Sequence, residues 1–534
     1  MELANLPSSP PPPEQVITTW ESSRGQDLLG LRAPAERIAN SLMDGVTTVS
    51  PLVRYCGFRS WIISRYVELE GPDHREVFFR FAGKCEAALV LGHLLSDNTP
   101  TGLVGTKEAK KIIESGNLRI RKLVNQPATD IYAGPSQDLA ISFARKRVPG
   151  LSEERGRPLA EAMQETVGHL TALTTIDVES EEQEISASAT IELANQYSMR
   201  DPSGRERELL IDAVCPPVPL PRELARLSAY SYLLQLATAN KSHTLDEDTV
   251  FRAAVEGEED AMPSQLFGTS DGWLRFLIRD MLAAVHERAV GVVIAMLQEC
   301  PHETSAIEKL EKKLTELDAS GLFKSLGIHG LSLGSTIGEL HRKIMETVTP
   351  VTQRCGLSRW EADLDEPAVF RALVENPGPE AVALLPVAWV LACTRAGASL
   401  DDGRFSIDQL SGARVARMGL ADILMPVVTG WTDSAESIAQ VIARLVRRSV
   451  DQHLGIAWYH MQADPHGNVA RIVSDGSTWT RVGEFEPGRA TSRLYQAINW
   501  LGQLSLLDED GITPDGTVLL QRNLTVLETA LEVR

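Results

Sequence analysis

The sequence predicts a mainly α-helical, multidomain protein: a helical body followed by a small C-terminal α+β unit of winged-helix-like pattern. Three observations lead there. The chain has 534 residues, and single hydrophobic cores stop growing at roughly 250–300 residues. Its apolar residues recur at helical spacing through most of its length. Beyond about residue 449 the texture changes to short extended runs separated by turn signals.

A hydrophobic content of 43% with 23% charged residues is enough apolar material for most of the chain to fold. We divide it into a disordered, proline-rich tail (1–25), an N-terminal helical domain (26–150), a central helical domain (151–345), a third helical region (346–448) and a winged-helix-like domain (449–534). The tail contains four consecutive prolines, Pro10 to Pro13. Its lack of a basic start and an apolar stretch predicts that it is not a secretory signal.

In the N-terminal domain, Pro34 at a first-turn position opens a helix over 34–43 that Gly45 ends. Ser50 and Pro51, a good N-cap followed by a good first helical residue, predict a second helix carrying Leu52, Tyr55, Trp61, Ile62 and Tyr66. Further helices are expected over 74–95 and 106–115, the latter capped by Thr106. In the central domain helices are expected over 153–173, 221–239, 271–297 and 306–317, with a glycine-punctuated turn region over 321–334. The third region gives helices over 366–376, 381–396, 407–412 and 435–448. In the last domain, strands over 469–473 and 479–482 flank an Asp475-Gly476 turn. A helix over 491–504 follows, then the acidic run from Asp508 to Asp510, a short extended or turn segment, and a final helix over 523–533.

The net charge of −20 opposes non-specific adhesion to nucleic acid or to anionic membranes. The longest apolar run, 381–393, contains Pro386 and is shorter than the roughly 20 residues a membrane span needs. We therefore expect no membrane association. The six cysteines are scattered without a C-x-x-C pair, which predicts buried thiols in a reducing, cytoplasmic setting rather than disulfides or a zinc ribbon.

Several patterns could carry chemistry. Arg279 and His286 stand seven apart on a predicted helix, hence on one face. The spacing is similar to the R-x4–6-H motif of HEPN-type ribonucleases, where arginine holds a phosphate and histidine moves a proton. Arg448 and His453 fit the same spacing, and structural or solvated residues explain both pairs as well. The run from Gly268 to Gly272 matches G-x-S-x-G, but no strand precedes it. Ser270 or Asp271 reads better as an N-cap for the helix containing Trp273. His453, His460 and His466 lie near Asp451 and Asp464, yet nothing in their spacing makes them converge on one ion. No phosphate-binding loop, dinucleotide fingerprint or H-E-x-x-H motif is present in the sequence. No cofactor or metal is expected.

Two patterns suggest binding instead. Arg54, Arg59 and Arg65 with Tyr55 and Trp61 could form a basic and aromatic contact surface, or a helical hairpin with an aromatic core and solvated arginines. Arg493 stands at the start of the recognition-type helix of the winged-helix-like domain. From 441 to 534 there are nine basic and eleven acidic residues, so no clear basic face is supplied for DNA.

The segment from Leu29 to Tyr66, with Asp44-Gly45-Val46-Thr47 and Arg54-Tyr55-Cys56-Gly57-Phe58-Arg59-Ser60-Trp61, resembles large uncharacterised bacterial proteins often encoded among phage-defence genes. Tyr132-Ala133-Gly134-Pro135 and the C-terminal end look similar too. The resemblance touches about a third of the chain, implies a cellular context, and brings no established catalytic residues. The expectation is a non-catalytic scaffold or recognition subunit of a bacterial complex acting through protein partners. The alternatives are a HEPN-like ribonuclease using Arg279 and His286, and a DNA-binding regulator using the C-terminal unit, which leaves nucleic acid as a possible partner.

Overall fold

The computed structural model describes residues 27–96, 98–239, 245–257, 262–299, 312, 316, 318–349, 351–354, 357–375, 380–396, 435–463, 469–475 and 478–532. Among them are 20 α-helices. The strands are two or three residues long and pair only as five two-stranded antiparallel ladders. The protein is mainly helical, as its periodicity predicts. The helices expected over 306–317 and 407–412 and the strand-turn residue Gly476 lie wholly or largely outside the described residues.

The chain divides into two compact units, each drawn from three stretches. One, the Trp61 unit, comprises Asn40–Val250, Ala261–Thr269 and Ser492–Arg534. Helix Tyr55–Glu68 packs against Gly156–Val167, Arg75–Leu95 against Ala187–Gln196, and Leu224–Ala239 against Pro514–Glu532. The close approach of the second pair depends on Gly92: a Cβ there would stand 2.0 Å from the carbonyl oxygen of Thr190. Tyr66 meets Phe78 edge-on with centroids 5.3 Å apart, and Trp61 and Trp500 are buried.

The other, the Trp273 unit, comprises Met1–Ala39, Phe251–Asp260 and Ser270–Thr491. From Ser270 on, the long helix Phe267–Glu299 is buried along most of its length, its charged residues Asp271, Arg279, Asp280, Glu287 and Arg288 included. Helix Glu366–Glu375 packs on Glu380–Ala396, which in turn meets Ile438–Ala463. Strand Ile472–Ser474 pairs antiparallel with Trp479–Arg481 and lies on the last of these helices. That hairpin matches the sequence pattern, with Val473 opposite Thr480.

Several helix starts depart from the sequence reading. The second helix begins at Tyr55, not after Ser50: the Ser50 hydroxyl instead donates to the Gly102 carbonyl at 2.9 Å. Thr106 is the first helical residue, preceded by Gly105 at a φ of 92°. The long helix begins at Phe267, so Ser270 and Asp271 lie inside it and cap nothing. Asp271 accepts instead from Arg354 at 2.8 Å and from Arg359. The same placement puts the G-x-S-x-G run on a helix rather than a strand-to-helix elbow.

At the C-terminal end, helix Ile438–Ala463 runs unbroken through the expected boundary at 448–449. The hairpin 472–481 belongs to the Trp273 unit, whereas helix Leu494–Gln503, the ladder of Leu507–Asp508 with Gly511–Ile512, and helix Pro514–Glu532 belong to the Trp61 unit. The final helix begins at Pro514, well before the expected residue 523, because Pro514 suits a first helical position. Among the described residues no helix is long and apolar enough to cross a membrane.

Candidate functional site

The residues proposed as a basic and aromatic surface are largely interior. Tyr55, Trp61, Arg54 and Arg59 are between 1% and 3% exposed. This corrects both the contact-surface reading and the expectation of solvated arginines. Arg54 donates from Nε to both carboxylate oxygens of Glu206 at 3.0 Å and from Nη2 to Oε2 at 2.6 Å, with its guanidinium 3.7 Å over the Tyr197 ring. Arg59 donates to the Thr129 carbonyl at 2.9 Å and the Ser142 hydroxyl at 2.8 Å. With no carboxylate in that set, burial pulls Arg59 down to about 10. The Trp61 indole donates to Gln164 at 2.6 Å. Arg65 is the one near the surface, in a 3.3 Å pair with Glu68. Arg493, at a φ of 65°, turns its guanidinium to the Val46 carbonyl. These residues hold the Trp61 unit together.

Arg279 and His286 are 3% and 1% exposed. Ser449 donates to the Leu445 carbonyl at 2.7 Å, so His286 Nδ1, 2.7 Å from the Ser449 oxygen, carries the proton and donates. Burial pushes His286 down to about 3 and Arg279 down to about 10. The ring is thus neutral at physiological pH and enclosed by protein. His453 is also interior: its Nε2 accepts the backbone N–H of Arg471 at 2.9 Å, fixing the hairpin to its helix. Burial lowers it to about 4. His466 lies outside the described residues. Among the described residues no group of histidine, cysteine or acidic side chains is arranged to hold a metal ion. Cys56, Cys85, Cys215 and Cys393 are buried free thiols.

A polar network in the Trp273 unit escaped the sequence reading. Asp280 accepts the Ala490 N–H at 2.6 Å and Arg489 Nε at 3.3 Å. Glu287, seven residues on, accepts the Gly488 N–H at 3.2 Å and pairs with Arg32. Burial, opposed by the arginines, pushes Asp280 up to about 6 and Glu287 up to about 7. Two acids at i and i+7 on one helix were the available signal. They pin the extended chain from 488 to 490 along the helix.

A cleft of about 700 Å³ opens to solvent in the Trp61 unit. One wall is a stripe of helix Leu494–Gln503, carrying Tyr495, Ile498, Asn499 and Gly502. These positions recur at helical spacing, while Leu494, Ala497, Trp500 and Leu501 bury the opposite face. The second wall is Ala237 with Leu245, Asp246, Glu247 and Asp248. The third is the turn from Leu507 to Gly511, bearing Asp508 and Glu509. Gly511, at a φ of 113°, closes that turn where only glycine sits without strain. Asp246 accepts from Thr249 N–H at 2.8 Å and so caps the helix that follows. Five carboxylates and no lysine or arginine are among the described residues lining the cleft. Tyr495 is 56% exposed at its edge.

No protein-family model matches the chain, and no curated protein or solved structure is detectably similar to it.

Proposed function

We propose that the chain is a non-catalytic scaffold or recognition subunit acting through protein contacts. The observation that carries this reading is the open, acid-walled cleft with apolar residues Leu245, Ile498 and Leu507 along its sides. A concave, mainly apolar site with a few placed polar groups is the usual form of a binding site. The buried state of Arg279 and His286 adds support, since a ribonuclease would need both at a scissile phosphate.

The DNA-binding alternative draws less. Its recognition-type helix has Arg493 engaged with Val46 at its start, and the rest of that helix carries no lysine or arginine. Phosphate neutralisation dominates DNA affinity. A cytoplasmic setting and a place in a bacterial phage-defence complex belong to the same proposal. They rest on the four free cysteines among the described residues and on the resemblance of the segment from Leu29 to Tyr66.

The experiment is to incubate the purified full-length protein with RNA, DNA and nucleoside triphosphates, and in parallel to capture partners with a tagged full chain. The reading expects captured protein and no turnover. Hydrolysis of nucleic acid or nucleotide, lost in His286→Ala, would replace it with the ribonuclease reading.

A further inference from the structure

We infer that the loop joining helices Gly204–Val214 and Leu224–Ala239 is itself a ligand, taken by a partner domain that reads polyproline II in an aromatic-lined groove with an acidic end. The inference goes beyond the cleft and does not rest on it. The loop runs Cys215-Pro216-Pro217-Val218-Pro219-Leu220-Pro221-Arg222. Val218 is 83% exposed, the most exposed large apolar side chain among the described residues, and Leu220 is 46% exposed. Pro217, Pro221 and Arg222 are exposed beside them. Each proline fixes its own φ and drives the residue before it into the extended region. After a bend at 217–218 the chain is extended, and Leu220, at φ −68° and ψ 155°, lies in the polyproline II region. Two aliphatic–proline pairs, Val218-Pro219 and Leu220-Pro221, thus follow one another, with Arg222 behind them.

Hydrogen bonding decides what kind of partner fits. Prolines have no N–H, and the Leu220 N–H is held by Glu223 at 2.9 Å, so the loop cannot join a sheet as an added strand. The carbonyls of Pro217, Val218 and Pro219 accept no hydrogen bond among the described residues. A groove that packs aromatic rings on aliphatic–proline pairs and donates indole or phenol hydrogens to the carbonyls uses what is on offer. Arg222 calls for a carboxylate at one end of that groove. The loop is also held ready. The buried Arg226 donates to the Val214 carbonyl at 3.0 Å, and Arg522 donates to the Cys215 carbonyl. At the other end the buried Glu223 pairs with Arg155 at 2.5 Å and Arg226 at 3.1 Å. Little conformational freedom is left to lose on binding. A contact of about five residues buries less than the roughly 1,200 Å² of a stable interface, so the complex is transient and is measured at equilibrium.

The test titrates the unlabelled full-length protein into a panel of isotope-labelled domains of the two common polyproline-reading kinds, SH3 and WW, followed by NMR. The expected result is broadening of the tryptophan and tyrosine signals of the groove in at least one domain. Val218→Asp should weaken that binding at least about tenfold, the effect of losing one buried valine side chain. Arg222→Glu should weaken it about threefold to tenfold, less so at high salt. Val518→Asp, at an exposed valine elsewhere in the same unit, should change nothing. Unchanged circular dichroism of each variant confirms that it is folded. No broadening with any domain of the panel, broadening outside the aromatic groove, or a Val218→Asp protein that binds as well as the parent would each overturn the assignment.

Discussion

Replacing Glu206 with alanine should destabilise the Trp61 unit by about 3 kcal/mol. The carboxylate and its partner Arg54 are 2% and 3% exposed, so solvent cannot replace what is lost. Removing one member of a buried pair typically costs about 3–5 kcal/mol, because the other charge is left uncompensated. Here the lower end applies, since Arg54 keeps the carbonyls of Ser198 and Asp201 and its place over the Tyr197 ring. Glu206→Gln retains an acceptor and should cost about half as much. In the double variant Arg54→Met/Glu206→Leu no charge is stranded, and stability should return to within about 1 kcal/mol of the parent. The assay is urea unfolding of the full chain followed by tryptophan fluorescence, analysed as a double-mutant cycle. A loss below about 1 kcal/mol for Glu206→Ala, or no coupling in the cycle, would refute the claim that Arg54 is an interior structural residue.

Three further outcomes follow from the same interior. Arg279 is 3% exposed, and its Nε and Nη2 have no hydrogen-bond partner; Arg279→Met should therefore raise the unfolding midpoint, where a ribonuclease arginine would leave it unchanged and abolish cleavage. His286 titrates near 3 and His453 near 4 in the folded chain, against 6.5 when unfolded. Below pH 6.5 the unfolded chain gains protons that the folded one refuses, so these histidines remove stability as pH falls toward 4. Asp280 and Glu287, raised to about 6 and about 7, act in the opposite sense. The histidine effect is read as the difference between parent and His286→Asn, whose unfolding midpoint should fall less steeply between pH 6.5 and 4; identical slopes would contradict it. Gly92→Ala should cost about 1–3 kcal/mol in thermal or urea unfolding, since its Cβ would lie 2.0 Å from the Thr190 oxygen and overpacking outweighs the gain in helix propensity.

Periodicity made most helices legible, and the paired strands 472–474 and 479–481 were readable from the sequence. What the sequence hid were partners far along the chain. The arginines at 54 and 59 look like surface cations because Glu206 and Thr129 lie 152 and 70 residues away. Even Gly57 serves that distant contact: a Cβ on it would stand 2.9 Å from Glu206 Oε1. Asp271 reads as a cap because capping is a local signal, whereas Arg354 and Arg359, which claim it, come 83 and 88 residues later. The cleft was half legible. The acidic turn after Leu507 and the helix before it stand out in the sequence, but nothing local announces that Leu245 to Asp248 form the facing wall.

The account's central claim is that this chain recognises a protein partner through the acid-walled cleft. Quantitative capture of partners by the tagged parent and by Gly502→Phe, side by side from the same lysate, tests it most directly. The account predicts partners enriched on the parent that fall to background on the variant, in which the phenylalanine side chain fills the cleft beside Ile498. Partners retained equally by both proteins would contradict it.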